Sequence, residues 1–277
     1  MDWREEKAGG GPVVIEIRFC EGFDELDACV QLEIETWGYD VNEIVPRKSF
    51  LLAQKIGGQV LGAFNTGDQG SESGGQNNAT TLVGFALSLP GIKSSHGNAL
   101  PYLHSHMLAV KEEYRNQGIG AQLKQRQRDE ALQRGIRHME WTFDPLEIKN
   151  AFLNIHRLGA ICRSYRANFY GVSSSRLQGG LPTDRLVAEW ELDSTRVHSI
   201  LNGLPATAHV IEERILIPAS IEQWKKNEKD RERAIAVQAE NREKFEKAFS
   251  RGFAVLGFNR DANGNGIFEL GPLNQVS

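Results

Sequence analysis

Apolar and polar positions along the chain follow two rhythms, one of period two and one of period 3.6. "VVIEIRFC" at 13–20 alternates as a half-buried strand does. The next stretch, "GFDELDACVQLEIETWG", sets Phe23, Leu26, Cys29, Val30 and Ile34 at helical spacing, with Asp24 and Glu25 at its start, where acids suit the positive end of a helix. "PRKSFLLAQKIG" at 46–57 predicts a short helix closed by glycine, "QVLGAFN" a strand, "TTLVGFALSLPG" the opposing strand, and "PYLHSHMLAV" at 101–110 the next. A helix is predicted from Ile119 to Arg134, ended by Gly135, followed by the strand "RHMEWTFDP", which proline stops. "LEIKNAFLNIHRLGA" predicts a helix of roughly three turns, and "ICRSYRANFYG" and "RLVAEWELD" predict strands.

The resulting order, β-α-α-β-β-β-α-β-α-β-β, predicts an α/β protein in the broad sense, α+β in detail, with helices on the faces of a mixed sheet. Near Ser194 the texture changes. "RILIP" predicts a short strand, and "IEQWKKNEKDRERAIAVQAENREKFEKAF" one long charged helix with a line through Trp224, Ile235, Gln238, Phe245 and Phe249. Its charges are of both signs and mixed at short range, which favours a solvated face with i,i+4 pairs. "FAVLGFN" and "NGIFEL" predict a closing hairpin. The division expected is a main domain over 13–194 and a C-terminal extension over 195–277 packed on its core. "GDQGSESGGQNNA" at 67–79 has no periodicity and predicts a spacer loop.

Composition narrows the class. The chain has 277 residues, 40% of them hydrophobic, and a formal net charge of -4. That suits a globular protein with a sizeable core and argues against a bulk electrostatic grip on nucleic acid or a membrane surface. Cys20, Cys29 and Cys162 are few, odd in number and spaced without a metal-ligand or disulfide pattern. The start, "MDWREEKAGGGP", lacks the apolar core of a signal peptide, and no run reaches the roughly 18 apolar residues of a membrane span. A cytoplasmic protein is expected. A homodimer is compatible with the sequence, although no residue pattern specifies one.

The most informative stretch is "YRNQGIGAQLKQRQRDEALQRG" at 114–135. Arg115-Asn116-Gln117-Gly118-Ile119-Gly120 reads R-x-x-G-x-G, directly after a strand and before a helix. A helix start carries unpaired N–H groups and partial positive charge, and glycines let a diphosphate approach them without Cβ atoms in the way. The same residues also suit a plain tight turn. Neither G-x-G-x-x-G after the first strand nor G-K-[ST] is present, so the dinucleotide turn and the nucleotide P-loop are excluded. "DANGNG" at 261–266 copies half of a calcium loop, but Pro272 stands where the bidentate glutamate belongs, so a turn is expected and no metal.

"MLAVKEEYRNQGIGAQL" resembles the acyl-CoA-binding core of the GNAT acyltransferase superfamily, and "NAFLNIHRLGA" is similar to that family's next helix. The runs around His104–Val110, Asp144–Ala160 and "NFYG" also resemble a bacterial subgroup of predicted acetyltransferases with a C-terminal extension. The resemblance implies a mixed, mainly antiparallel GNAT-type sheet flanked by helices. It also implies acyl-CoA as co-substrate, with the diphosphate on the N–H groups of Gln117, Gly118, Ile119, Gly120 and Ala121 and Arg115 at the mouth of the loop. The main chain of Leu108 and Val110 would pair with the pantetheine arm, and Asn150 or Asn154 would bond its amides, although Ile148 stands where many relatives have that asparagine.

The activity implied is N-acyl transfer to the amine of a small molecule, an amino acid among the options, by direct attack. Acetyl is the first choice of acyl group; a succinyl donor would suit an arginine such as Arg163 or Arg166. A non-catalytic acyl-CoA-binding regulatory module is the alternative from another class. The base position of the family falls on His106, whose imidazole accepts a proton at neutral pH. Strand alternation puts His104, His106, Leu108 and Val110 on one face. The family's proton-donating tyrosine is replaced by Ile155, which leaves His156, Tyr165 and Tyr170 as donors; histidines satisfied within a sheet and tyrosines packed in a core are the plainer readings. For the acceptor, Glu33, Trp37, His104, Glu140, Asp144 and Arg163 are the expected contacts, with Asp144 alternatively capping the helix after Pro145.

Overall fold

The computed structural model describes residues 14–67, 80–95, 98–204 and 209–273. The predicted spacer at 67–79 lies, but for its first residue, outside the described residues, as does the N-terminal segment. One ten-stranded sheet runs through the molecule in the order β1-β2-β3-β4-β5-β7-β6-β9-β10-β8. Its strands are β1 (Ile15–Phe19), β2 (Gln59–Asn65), β3 (Thr81–Ser95), β4 (Asn98–Val110), β5 (His138–Phe143), β6 (Ile161–Arg166), β7 (Arg185–Glu191), β8 (Glu213–Ile217), β9 (Phe253–Arg260) and β10 (Gly266–Pro272). All neighbours are antiparallel except β4 and β5, which run parallel and pair at only two positions, Leu103 with Met139 and His104 with Glu140.

Helices α1 (Gly22–Trp37) and α2 (Arg47–Lys55) cover one face of the first half of the sheet; Leu26, Cys29, Phe50 and Ala53 pack there against Val60, Phe85 and Met107. Helix α3 (Ile119–Gln133) covers the other, with Ile119 and Leu123 against Leu61, Val83 and Ala86. Burial on both faces explains why β2, "QVLGAFN", is buried at every position instead of alternating.

The predicted element order is observed, with local departures. The helix after β5 is one turn of α4 (Ile148–Ala151) that widens into a π-helical turn, Phe152–Arg157, where the Leu158 N–H reaches back to the Leu153 carbonyl (3.0 Å). Its last carbonyls are capped from elsewhere: the Trp190 indole donates to Leu158 (2.7 Å) and the Arg196 guanidinium to Gly159 (2.9 Å). Strand β6 stops at Arg166, so "NFYG" is a turn. There Asn168 takes a left-handed φ of 45°, and its side chain accepts the Thr183 N–H (3.2 Å). A further helix, α5 (Thr195–Leu201), starts at Ser194, whose hydroxyl accepts the Val197 N–H.

The single long C-terminal helix predicted from 221 is two, α6 (Ile221–Lys226) and α7 (Arg231–Ser250). Asn227 breaks it. Its backbone is extended, its side chain accepts the Lys229 N–H (3.1 Å), and its amide bonds Asp230 (2.8 Å), a local turn that competes with the helix. Along α7 the inner face runs through Ala234, Gln238, Asn241, Phe245 and Ala248, while Ile235 is exposed. "DANGNG" forms the β9–β10 turn, with Asp261 accepting the Asn263 and Asn265 N–H groups.

Residues 195–273 continue the sheet. Strand β9 joins β6 at Cys162 and Val255, and one apolar cluster holds Trp141, Leu158 and Trp190 together with Ile217, Phe245 and Phe268.

Candidate active site

Beyond His104 and Glu140 the parallel strands part, and β4 carries a bulge at that point. Leu87 of β3 faces Met107 and Ser88 faces Ser105, so His106 is the extra residue. The bulge overturns the expected alternation. Met107 and Ala109 pack on the α1–α2 side, while Leu108 and Val110 join the α3 cluster, and the His106 ring lies 6.2 Å from that of His104. His104 and Leu108 are therefore on opposite faces.

A cavity of about 410 Å³ opens where the strands part. Ser105, His106 and Leu108 line it from β4, and Trp141 and Thr142 from β5. Glu33 and Trp37 reach it from α1, Lys124 from α3, and Asn150 and Asn154 from the helix after β5. Side chains from both faces of the sheet thus meet in one space, which passes between the strands.

At the end of β4 the chain makes a 3-10 turn at Glu112–Tyr114, takes a left-handed φ at Asn116 (63°) and Gly118 (83°), and enters α3. The first bond into the helix is from the Gln122 N–H to the Gly118 carbonyl, 3.1 Å. None of the N–H groups of Gln117, Gly118, Ile119, Gly120 and Ala121 has a protein acceptor among the described residues. A Cβ on Gly120 would meet only Leu108 and Leu153, at 3.7 and 3.8 Å, which is ordinary contact. The Arg115 Nε donates back to the Val110 carbonyl (3.0 Å) and fixes the mouth of the loop. The result is a fan of free donors at the positive end of a 15-residue helix.

Two titratable groups on the cavity wall are set apart by burial. The His106 ring reaches solvent through the cavity yet is enclosed by protein, and this desolvation, followed by the neighbouring His104, lowers its pKa, so it rests neutral at pH 7. Glu33 is fully buried. Its Oε1 accepts the Val45 N–H (2.9 Å), whereas Oε2 has no partner among the described residues. Burial pushes this carboxyl up to about 7 against the opposing Val45 bond.

The remaining expected residues divide. Tyr170 lines the cavity and its hydroxyl shares a 2.8 Å hydrogen bond with Thr142. Trp37 lines it too, stacked on Tyr39. Tyr165 does not. Its hydroxyl donates to Asp184 (2.6 Å), which also holds Arg242, and its ring stacks on Phe245. Arg163 is held by Glu189 away from the cavity, and Glu140 is taken by Lys93, with His104 at 3.8 Å. His156 stacks on Phe152 and faces a second cavity. Asp144 is on the wall but engaged: one oxygen accepts the Leu146 N–H and the other the Lys225 ammonium (2.8 Å), which Glu147 also accepts (2.6 Å). Burial works to lower the Lys225 pKa, and the two carboxylates more than offset it. A residue of the C-terminal extension thus neutralises the cavity wall.

Sequence reasoning missed Ser105, Lys124, Lys225 and Arg185, all at or beside this cavity. Lys124 was detectable in principle, since helical spacing from Ile119, Leu123 and Ala131 turns it and Gln127 inward.

The family model described as "Acetyltransferase (GNAT) family" matches residues 27–153. A comparison with curated proteins finds no match. Among solved structures, likenesses include yncA from Salmonella typhimurium with its cofactor acetyl-CoA, at 18% identity and a TM-score of 0.48 over 65% of this chain and 94% of that one. NAA60 of Arabidopsis thaliana, in complex with a bisubstrate analogue, gives 15% and 0.46 over 64% and 98%. An N-acetyltransferase from Staphylococcus aureus Mu50 gives 16% and 0.44 over 65% and 99%.

Proposed function

We propose that this chain, whose residues 27–153 match the GNAT acetyltransferase family model, is an acyl-CoA N-acyltransferase that transfers an acyl group, acetyl by first choice, from acyl-CoA to the amine of a small molecule. The observation that carries this reading is the fan of five unpaired amides at residues 117–121, opening beside a cavity that passes between β4 and β5. The amides take the diphosphate. Among the described residues the edge of β4 beyond His104 has no strand partner on the β5 side, so the main chain of Leu108 and Val110 is left to pair with the pantetheine arm. Asn150 and Asn154, on the same cavity wall, supply side-chain amides to that arm.

The acceptor enters from the α1 side, past Trp37. Neutral His106 takes a proton from its ammonium group and returns it to solvent, while the unpartnered oxygen of Glu33 receives a second N–H. Tyr170, fixed on Thr142, orients the reacting groups. Any acyl or acceptor carboxylate is met by Arg185, which lines the cavity, and not by Arg163. An amino acid is the acceptor class that fits both charges. The cytoplasm is the compartment we assign, on three free and buried cysteines; among the described residues no helix is long and apolar enough to cross a membrane.

Thiol release from acetyl-CoA and succinyl-CoA against a panel of amino acids and amines tests the reading. His106→Ala is expected to slow turnover about 100-fold with unchanged CoA affinity. Burial of Ile155 in the core keeps the second reading, a non-catalytic CoA-binding module, in play. CoA binding without turnover of any amine favours that module, and no CoA binding at all removes both.

A further inference from the structure

Lys124 is a buried ionisable group that this chemistry leaves unused. It lies on α3, 2% exposed, directly beneath the point where β4 and β5 part. Its Nζ donates to the Ser105 hydroxyl (2.6 Å) and stands 3.6 Å from the centre of the Trp141 ring. The Ser105 hydroxyl in turn donates to Gln127 (3.0 Å), whose carbonyl accepts from Gln59. No carboxylate lies within ion-pair distance of Nζ among the described residues. This contrasts with the other buried lysine, Lys225, which has two. A lysine is normally kept in such a place only if its charge is compensated or its amine is used. Burial pushes its pKa well down, so the amine is available to accept a proton as well as to give one.

Apart from His106, Glu33 and Tyr170, which the acyl-transfer reading already uses, the groups nearest Lys124 on this wall are committed or uncharged. Asp144 and Glu147 are tied to Lys225, and Asn150, Asn154 and Ser105 are uncharged. We propose that Lys124 is a catalytic proton carrier that moves a proton from the attacking nitrogen to the departing sulfur of acyl-CoA, an inference that rests on the acyl-transfer reading above. Attack forms the C–N bond and leaves the nitrogen positively charged and the carbonyl oxygen negative. Nζ takes one nitrogen-bound proton. Collapse of the adduct restores the carbonyl and breaks the C–S bond, with the electron pair going to sulfur, and Nζ delivers the proton to give the free thiol. Together with the proton removed earlier by His106, an acceptor ammonium and acyl-CoA yield amide, CoA thiol and one proton, and Lys124 ends as it began. Ser105 acts as a positioning residue, holding Nζ under the gap.

The test uses the full chain with CoA bound and reads the thiol itself, so it needs no acceptor. The thiolate is followed by ultraviolet absorbance as pH is raised. A proton-accepting amine beside the sulfur favours the thiolate, so the bound thiol is expected to titrate about one pH unit lower in the unaltered protein than in Lys124→Met, a tenfold difference in acidity. Methionine keeps the length and suits the apolar surroundings. Ser105→Ala, which leaves the lysine in place, is expected to move the thiol in the same direction by less, and serves if Lys124→Met does not fold. Turnover of acyl-CoA by Lys124→Met is expected to fall about 100-fold with KM for acyl-CoA unchanged. Identical thiol titrations in the unaltered protein and the variants overturn the role of Lys124 and leave the CoA reading standing. Failure of the unaltered protein to bind CoA overturns both.

Discussion

Single residues in this protein are set by what surrounds them more than by what they are. Glu33 and Glu140 are both glutamates near the strand gap, yet one is pushed up by burial and the other, ringed by Lys93, His104 and His138, is held low despite its own burial. For Glu33 the sign of the consequence follows directly. Its folded-state pKa, about 7, lies above its unfolded value, so the folded protein binds the extra proton. Stability contributed by the protonated form is complete below the unfolded value and is lost as pH rises toward 7. Glu33→Gln removes that loss. Denaturant unfolding of the two proteins across this window is expected to show the variant gaining on the parent as pH rises, by roughly 3 kcal/mol at the upper end. A constant difference at all pH values would show that Glu33 ionises normally.

At the scale of elements, the entrance of α3 is where local chemistry and proposed function separate. Gly118 is needed by the backbone, because φ is 83° there. Gly120 is not, because a Cβ would meet only ordinary contacts. Gly120→Ala is therefore expected to melt at the same temperature or higher, since alanine favours the helix by about 1 kcal/mol, while CoA affinity falls at least about tenfold as the methyl group enters the diphosphate space. Calorimetric melting and CoA titration on one sample check both halves. The glycine-bearing turn with its unpaired amides was legible in the R-x-x-G-x-G spacing because it is a local property of strand, turn and helix. The bulge at His106 was not, since it depends on the register between β3 and β4, and no alternation within β4 reports it. The break at Asn227 lay in between: the competing side-chain bonds are local, but the charged pattern ran through them without interruption.

On the scale of the whole molecule, the C-terminal extension completes what precedes it. Strand β9 covers the edge of β6, α7 brings Arg242 to Asp184, and α6 brings Lys225 to Asp144 and Glu147. Removing residues 195–277 would bare a sheet edge and leave buried carboxylates unpaired. Breaking one such pair costs about 3–5 kcal/mol, against a net stability of about 5–15 kcal/mol for a typical protein. The fragment 1–194 is expected to lack a cooperative thermal transition. A sharp melt with retained CoA binding would establish 13–194 as an independent unit.

The sequence by itself determined the elements and their order, the glycine-bearing turn before α3, and the presence of His106, Glu33, Trp37 and Tyr170 as groups with usable chemistry, because periodicity, turn composition and residue type act over a few neighbours. Tertiary structure alone decided which of them meet. It drew Tyr165 to Asp184 and Arg163 to Glu189, placed Lys124 under the strand gap, and brought Lys225 across from a distant segment. Those outcomes rest on pairing and desolvation between residues remote in sequence, which local patterns do not encode.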